Sequence, residues 1–296
     1  MNETLKRSIS GAVYIILLIA SILFSTESFI LLFGVFLLIA TYEFCALVQV
    51  RKIIPITIVF LFYSAIALIS YYRLETELCL SENFGINTRL DCDIPLLNNV
   101  LLFITLFVSI KCLFFLFDDK VQSITTSSKY LYLLGYIVLP FIFITKISFG
   151  IKDYNPKIII GLFIIIWTND TFAYIVGKSI GKNKLFERIS PKKTIEGFVG
   201  GVVFAVFAGY LISKLYIKPK PSFSEKSILI WTVIALLAGI FGTIGDLVQS
   251  KFKRIAGVKD SGKIMPGHGG ILDRLDSVIF VAPIIFLFYQ ILNYVS

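Results

Sequence analysis

Ile228-Leu229-Ile230-Trp231-Thr232-Val233-Ile234-Ala235-Leu236-Leu237-Ala238-Gly239-Ile240-Phe241-Gly242-Thr243-Ile244-Gly245-Asp246-Leu247-Val248-Gln249 is the stretch that decides the fold of this chain. It is apolar almost throughout and, wound as a helix, long enough to cross the ~30 Å hydrocarbon core of a bilayer. Its one charge is a carboxylate. Ala235, Gly239, Gly242, Asp246, Ser250 and Lys253 follow one another at steps of three and four residues, so they share a helix face. That face is small, then acidic, then hydroxylic, then basic. Small residues let another helix come close to Asp246, so the carboxylate meets a cation rather than lipid. The cation is either a metal, held together with Asp170, or a lysine or arginine in a salt bridge.

Similar stretches recur on both sides of this one. Spans are expected near 9–25, 29–49, 53–72, 96–117, 130–149, 157–177, 196–213, 228–249 and 277–295. Hydrophobic residues make up 57% of the chain and charged ones only 16%, a balance that excludes an ordinary soluble domain. No strand alternation interrupts the pattern, so the fold class is all-α, a polytopic integral membrane protein of about nine transmembrane helices. Lys6 and Arg7 lead into the first span with no small-residue cleavage site, which argues against a cleavable signal peptide.

The net charge of +9 suggests nucleic acid until its placement is considered. The basic residues lie between spans, where they orient the chain or meet anionic phosphates, and no nucleic-acid partner is expected. With a cytoplasmic N-terminus, the inside segments collect Lys6, Arg7, Arg51, Lys52, Lys120, Lys129 and the basic clusters Lys178–Lys193 and Lys251–Arg274. Lys214, Lys218, Lys220 and Lys226 dissent, because they fall outside. Cys79 and Cys92 share an acidic outside loop and would pair if it faces an oxidising compartment, whereas Cys45 and Cys112 read as packing residues. Residues 1–150 are plain spans, read as a scaffold with room for homodimer contacts. Residues 151–296 carry the polar interruptions and are read as the catalytic region.

Within that region, Asp170 sits deep in the apolar run Ile164-Ile165-Ile166-Trp167-Thr168-Asn169-Asp170. A carboxylate there costs ~3 kcal/mol to insert, so it marks either a site or a span end reached by water. Ser190-Pro191-Lys192-Lys193-Thr194-Ile195-Glu196-Gly197 opens the next span; Pro191 suits a first helical turn and Ser190 its cap. A helix N-terminus with two lysines favours phosphate. Gly197, Gly201, Ala205 and Gly209 then give a packing face.

The richest segment runs Ser250-Lys251-Phe252-Lys253-Arg254, then Lys259-Asp260, then Pro266-Gly267-His268-Gly269-Gly270-Ile271-Leu272-Asp273-Arg274-Leu275-Asp276. Glycines around His268 allow close wrapping of a ligand, and Asp273 and Asp276 share a helical side. Carboxylates beside lysine and arginine are the composition of a Mg²⁺–polyphosphate site. His268, the only histidine, reads as a phosphate donor or a loop organiser. A phosphomonoester is already largely dianionic near pH 7, so as a nucleophile it needs no general base.

The spacing Ser-x-x-Lys-Arg-x4-Lys-Asp, followed by His-Gly-Gly-x-x-Asp-Arg-x-Asp, resembles the signature of phosphatidate cytidylyltransferases. It is carried by Ser250, Lys253, Arg254, Lys259, Asp260, His268, Gly269, Gly270, Asp273, Arg274 and Asp276. Asp170, Ser190, Lys192, Lys193, Thr194 and Glu196 fit the same family in order, with Ile195 where tryptophan is usual. The resemblance covers roughly residues 160–280. It implies attack of the phosphatidate phosphate on the α-phosphorus of CTP at the cytoplasmic face of a bacterial-type inner membrane. It also implies Mg²⁺, with K⁺ beside it. Asp246 and Asp273 are the first metal ligands by resemblance, then Asp170 and Asp276. Lys192, Lys193, Lys253, Arg254 and Arg274 would bind the triphosphate and the lipid head group. Two rivals are a CTP-dependent lipid kinase, which would release CDP, and an ion-coupled transporter, which would need paired broken helices and no phosphate loop.

Overall fold

The structure, a computed structural model, describes residues 3–84, 95–118, 123–148, 154–218 and 224–295. Helices occupy all the expected spans. They are α1 (Glu3–Phe24), α2 (Thr26–Leu47), α3 (Ile53–Phe84), α4 (Pro95–Phe117), α5 (Thr126–Tyr132), α6 (Leu139–Ile147), α7 (Pro156–Ile180), α8 (Ile195–Leu211), α9 (Ser224–Ile255) and α10 (Leu272–Val295). A π-helical turn at Leu133–Val138 joins α5 to α6 as one span, and another at Ile212–Ile217 extends α8. Eight of these stretches are long and apolar enough to cross a membrane, and Ile53–Leu68 is a shorter apolar helix. The chain is an all-α polytopic membrane protein. Cys92 lies outside the described residues, and with it the expected pairing to Cys79.

Glycine sets the crossings. The most extensive packing is among α7, α8, α9 and α10. The expected small-residue face of α8 is buried at Gly197, Gly201, Ala205 and Gly209. A Cβ at Gly201 would stand 2.8 Å from the Asn169 carbonyl of α7, and one at Gly209 would stand 2.6 Å from the Trp231 carbonyl of α9. Gly245 does the same for α10, where a Cβ would lie 2.7 Å from the Asp276 carbonyl and 2.6 Å from Phe280 Cβ. The backbone of α10 therefore rests against α9 one residue from Asp246.

The N-terminal half anchors the far end of α9. Phe252 is fully buried among Phe44 of α2, Phe115 of α4, and Tyr132 and Tyr136 of the fifth span, with ring centroids 4.7–5.6 Å away. Beside it, buried Lys251 donates to the Phe115 and Asp118 carbonyls, satisfying groups at the C-terminus of α4. Lys251 is thus a helix cap and not part of a phosphate cluster.

One local expectation fails. Ser190 does not cap the seventh span, and Pro191 is not in its first turn. Lys184–Phe186 (β1) and Ser190–Thr194 (β2) form a two-stranded antiparallel hairpin. Proline is tolerated there because a two-stranded sheet consists of edges. The cap is Thr194, whose hydroxyl accepts from Gly197 N at 3.1 Å. The extended strand carries Lys193 to α9, a reach the first turn of α8 would not provide.

Candidate active site

Asp246 and Lys193 form an ion pair, each side chain about 30% exposed (31% and 28%). Ser250, one turn further along α9, donates to Asp246 Oδ1 at 3.3 Å. Asp276 stands within electrostatic reach of Asp246, Asp170 and Lys253, and Asp170 within reach of Lys193, Asp246 and Arg274. Asn169 donates to Asp170 Oδ1 at 3.3 Å, and Asp170 itself is exposed at the side of α7. Three of the four acidic residues expected as metal ligands therefore gather around one end of α9, facing two lysines and an arginine.

Asp273 is placed differently. Lys253 Nζ donates to its Oδ1 at 2.8 Å, and its side chain is only 5% exposed. Its Oδ2 accepts from Ser261 N at 2.8 Å, Ser261 Oγ at 3.0 Å and Gly270 N at 3.0 Å. Both oxygens are thus engaged by protein donors, which makes Asp273 the organiser of the loop between α9 and α10. That loop turns at Pro266–His268, where His268 N and Gly269 N donate to the Met265 carbonyl at 2.9 and 3.1 Å. Gly267 and Gly269 have φ of +77° and +85°, conformations that side chains rarely adopt, so glycine is required at both. Gly270 packs its backbone against Glu43.

The remaining expected residues divide. Arg254 spends its guanidinium on the Ile189 carbonyl at 3.2 Å and the Val258 carbonyl at 3.3 Å, tying the hairpin to α9. Glu196 accepts from Lys182 N at 3.1 Å, Asn183 N at 3.1 Å and Asn183 Nδ2 at 2.8 Å, so it holds the start of the hairpin. Thr194 is the buried helix cap. These three position the site instead of lining it. Lys192, Lys259, Asp260 and Arg274 are exposed, and Ser190 is half-buried. Arg274 also donates to the His268 carbonyl at 3.0 Å.

The sequence profile of the cytidylyltransferase family matches residues 5–292. This chain belongs to that family. It is similar to the phosphatidate cytidylyltransferase of Bacillus subtilis (strain 168), at 40% identity over 187 residues, 63% of this chain and 64% of that protein. It is also 48% identical to the phosphatidate cytidylyltransferase of Staphylococcus aureus (strain COL) over 125 residues, 42% of this chain and 45% of that protein. The corresponding Staphylococcus saprophyticus protein is 46% identical over the same length and shares. The matched stretches thus span about half to two thirds of these relatives.

The family match reaches back to residue 5, and the structure shows contacts with the loop from that part of the chain. Glu43 of α2, only 2% exposed, accepts from Ile271 N at 3.2 Å and Leu272 N at 2.9 Å, and its Oε2 lies 3.1 Å from Ser261 Oγ. It is a long-range cap on the N-terminus of α10, where the helix dipole favours a carboxylate. Sequence reasoning missed it. The signal was available, because Glu43 lies within the apolar span just as Asp170 and Asp246 do. Ser10 of α1 also reaches the loop, with Oγ 2.8 Å from His268 Nδ1 and 2.9 Å from the Pro266 carbonyl. A serine near a span end carries no comparable signal. In this member of the family the first two helices close a candidate site whose motif residues lie on α7 to α10 and the segments between them.

Proposed function

We propose that the chain transfers the cytidylyl group of CTP to phosphatidate at the cytoplasmic face of a bacterial inner membrane, forming CDP-diacylglycerol and pyrophosphate. The observation that carries this reading is the Asp246–Lys193 pair beside Asp276 and Asp170, inside the helical region and joined to a basic loop. A lipid phosphate and a nucleotide triphosphate meet at such a boundary and need both carboxylates and cations there.

The carboxylates fit Mg²⁺. No three of the described His, Cys, Asp and Glu residues converge on one point, so the protein alone forms no complete cage. Magnesium bound with a nucleotide needs only one or two carboxylates, because phosphates and waters complete its shell. Asp246 and Asp276 would hold it, with Asp170 adjacent; Asp273 is engaged by its four donors. When bound, Mg²⁺ supplies neutralisation of phosphate charge and alignment of the reacting groups. K⁺ would find one neutral oxygen beside Asp170: Asn169 Oδ1 is buried with no hydrogen-bond partner among the described residues and faces Gly201 and Gly239, and K⁺ carries no step here.

The chain's own groups do the following. Lys193 leaves Asp246 for the triphosphate, and Arg274 and Lys192 supply further positive charge from exposed positions. Lys253 and Asp273 keep the loop folded against α9. A phosphate oxygen of phosphatidate attacks the α-phosphorus, the α–β phosphoanhydride bond breaks, and pyrophosphate leaves with the electron pair. The nucleophile is already ionised, so catalysis is positioning plus charge neutralisation. Lipid entry from the side of α7 and α8 is consistent with exposed Tyr174, Ile175, Val199 and Val203 there.

The test uses the purified chain in detergent with phosphatidate, α-³²P-labelled CTP and Mg²⁺. Label is expected in the lipid fraction, abolished by EDTA and reduced at least about a hundredfold in Asp246→Asn. Labelled CDP with unlabelled lipid would instead establish γ-phosphoryl transfer and sink the proposal.

A further inference from the structure

Ser10 lies far in sequence from the motif between Ser250 and Asp276, yet it makes three close polar approaches. Its Oγ is 3.0 Å from the Arg7 carbonyl, 2.9 Å from the Pro266 carbonyl and 2.8 Å from His268 Nδ1. A hydroxyl has one proton to donate. If that proton went to Nδ1, two carbonyl oxygens would face the Ser10 lone pairs at about 3 Å with nothing between them. If it goes to a carbonyl, Oγ is free to accept, and the short contact to the ring is satisfied only by a proton on Nδ1. The second arrangement satisfies the ring contact and leaves one carbonyl oxygen, instead of two, facing a lone pair.

The surroundings support a held ring. Gly11 lies under its edge, where a Cβ would be 3.3 Å from Cε1 and 3.5 Å from Nε2. Arg274 holds the His268 carbonyl at 3.0 Å, and the Arg7 side chain packs against Gly267. Nε2 has no hydrogen-bond partner among the described residues. The charged groups facing the ring are both cations, Arg274 from α10 and Arg7 from α1.

We propose that Ser10 is a positioning residue that holds His268 as its Nδ1–H tautomer and leaves Nε2 as the atom offered to a phosphate anion. The second half rests on the function proposed above; the first half does not. A neutral Nδ1–H ring has only a lone pair at Nε2, so it donates to a phosphate only after taking a proton from solvent. Anion binding between Arg7 and Arg274 would therefore be coupled to proton uptake at Nε2. The site would accept a pyrophosphate-like anion and release it as a neutral ring.

His268 is the chain's only histidine, which makes the test direct. The full chain, labelled with ¹⁵N and ¹³C in histidine only and reconstituted in lipid, would be studied by solid-state NMR at pH 8. Couplings to the ring carbons identify which nitrogen bears the proton. The expected result is Nδ1–H in the wild type, Nδ1–H again in Ser10→Thr, and a change to Nε2–H in Ser10→Ala. A wild-type ring protonated at Nε2 overturns the proposal even if no variant folds, as does an unchanged tautomer in a folded Ser10→Ala. Inorganic pyrophosphate is the second probe. It should raise the midpoint of Nε2 protonation in the wild type; an unmoved midpoint overturns the phosphate role while leaving the tautomer result standing. Neither readout depends on turnover, so failure of cytidylyl transfer would be seen separately.

Discussion

At the residue scale, charge decides what each group does. Lys193 and Asp246 neutralise each other, yet both remain open enough to exchange partners. Lys193→Met should lower kcat/KM for CTP by about a hundredfold in the labelled-CTP assay, because the triphosphate loses a directed cation. His268 provides the pH dependence. Burial, then Arg274 and Arg7, hold its imidazole below the ordinary value of 6.5. The unfolded chain therefore binds this proton more readily than the folded one, and stability is lost as pH falls from the ordinary histidine range toward the folded value. Thermal melting in detergent should drop between pH 8 and 5.5, and the drop should be smaller in His268→Gln. An equal drop in both would place the acid sensitivity elsewhere.

At the element scale, the site depends on helix ends and crossings. Glu43 satisfies two N–H groups at the start of α10 that have no intrahelical acceptor. Glu43→Ala should destabilise the fold by about 2 kcal/mol, read as a lower melting temperature, and weaken the loop that Asp273 organises. Gly245 governs the α9–α10 crossing. An alanine Cβ would press on the Asp276 carbonyl and Phe280, pushing α10 away and separating Asp276 from Asp246. Gly245→Ala should therefore reduce cytidylyl transfer while circular dichroism shows unchanged helix content. Overpacking of this kind typically costs about 1–3 kcal/mol. The failed expectation at Ser190 belongs here too. Proline after serine before an apolar run suits a helix start, and only the pull of Lys193 toward Asp246 shows why the chain stays extended to Thr194.

At the scale of the whole molecule, the two halves are less separate than the sequence suggests. The last four long helices and the segments between them carry the motif residues, while α1 and α2 cap and hold the α9–α10 loop and α2, α4 and the fifth span enclose Phe252. Residues 154–296 expressed without 1–153 should therefore be inactive in the labelled-CTP assay. The helix order also places the hairpin and the α9–α10 loop on one side, with the start of α9 on the other. In a background with the native cysteines replaced by serine, a membrane-impermeant maleimide should label Lys263→Cys and Glu225→Cys from opposite faces of sealed vesicles. Labelling of both from one face would break the proposed orientation.

Hydrophobic length by itself determined that the chain crosses a membrane repeatedly as helices, because in lipid the backbone must bond within each segment. Spacing along α9 determined the face that carries Asp246, Ser250 and Lys253, and the carboxylates inside apolar runs pointed to the candidate site, since burying them in lipid is costly. Sequence did not decide their partners. Asp273 and Asp246 look alike in the chain, but one is enclosed by four donors and the other is paired with a single lysine. Glu43 and Ser10 reach the loop across more than two hundred residues, a separation over which neither periodicity nor spacing carries information. Those assignments come from helix packing in three dimensions, where glycines set how closely the backbones meet.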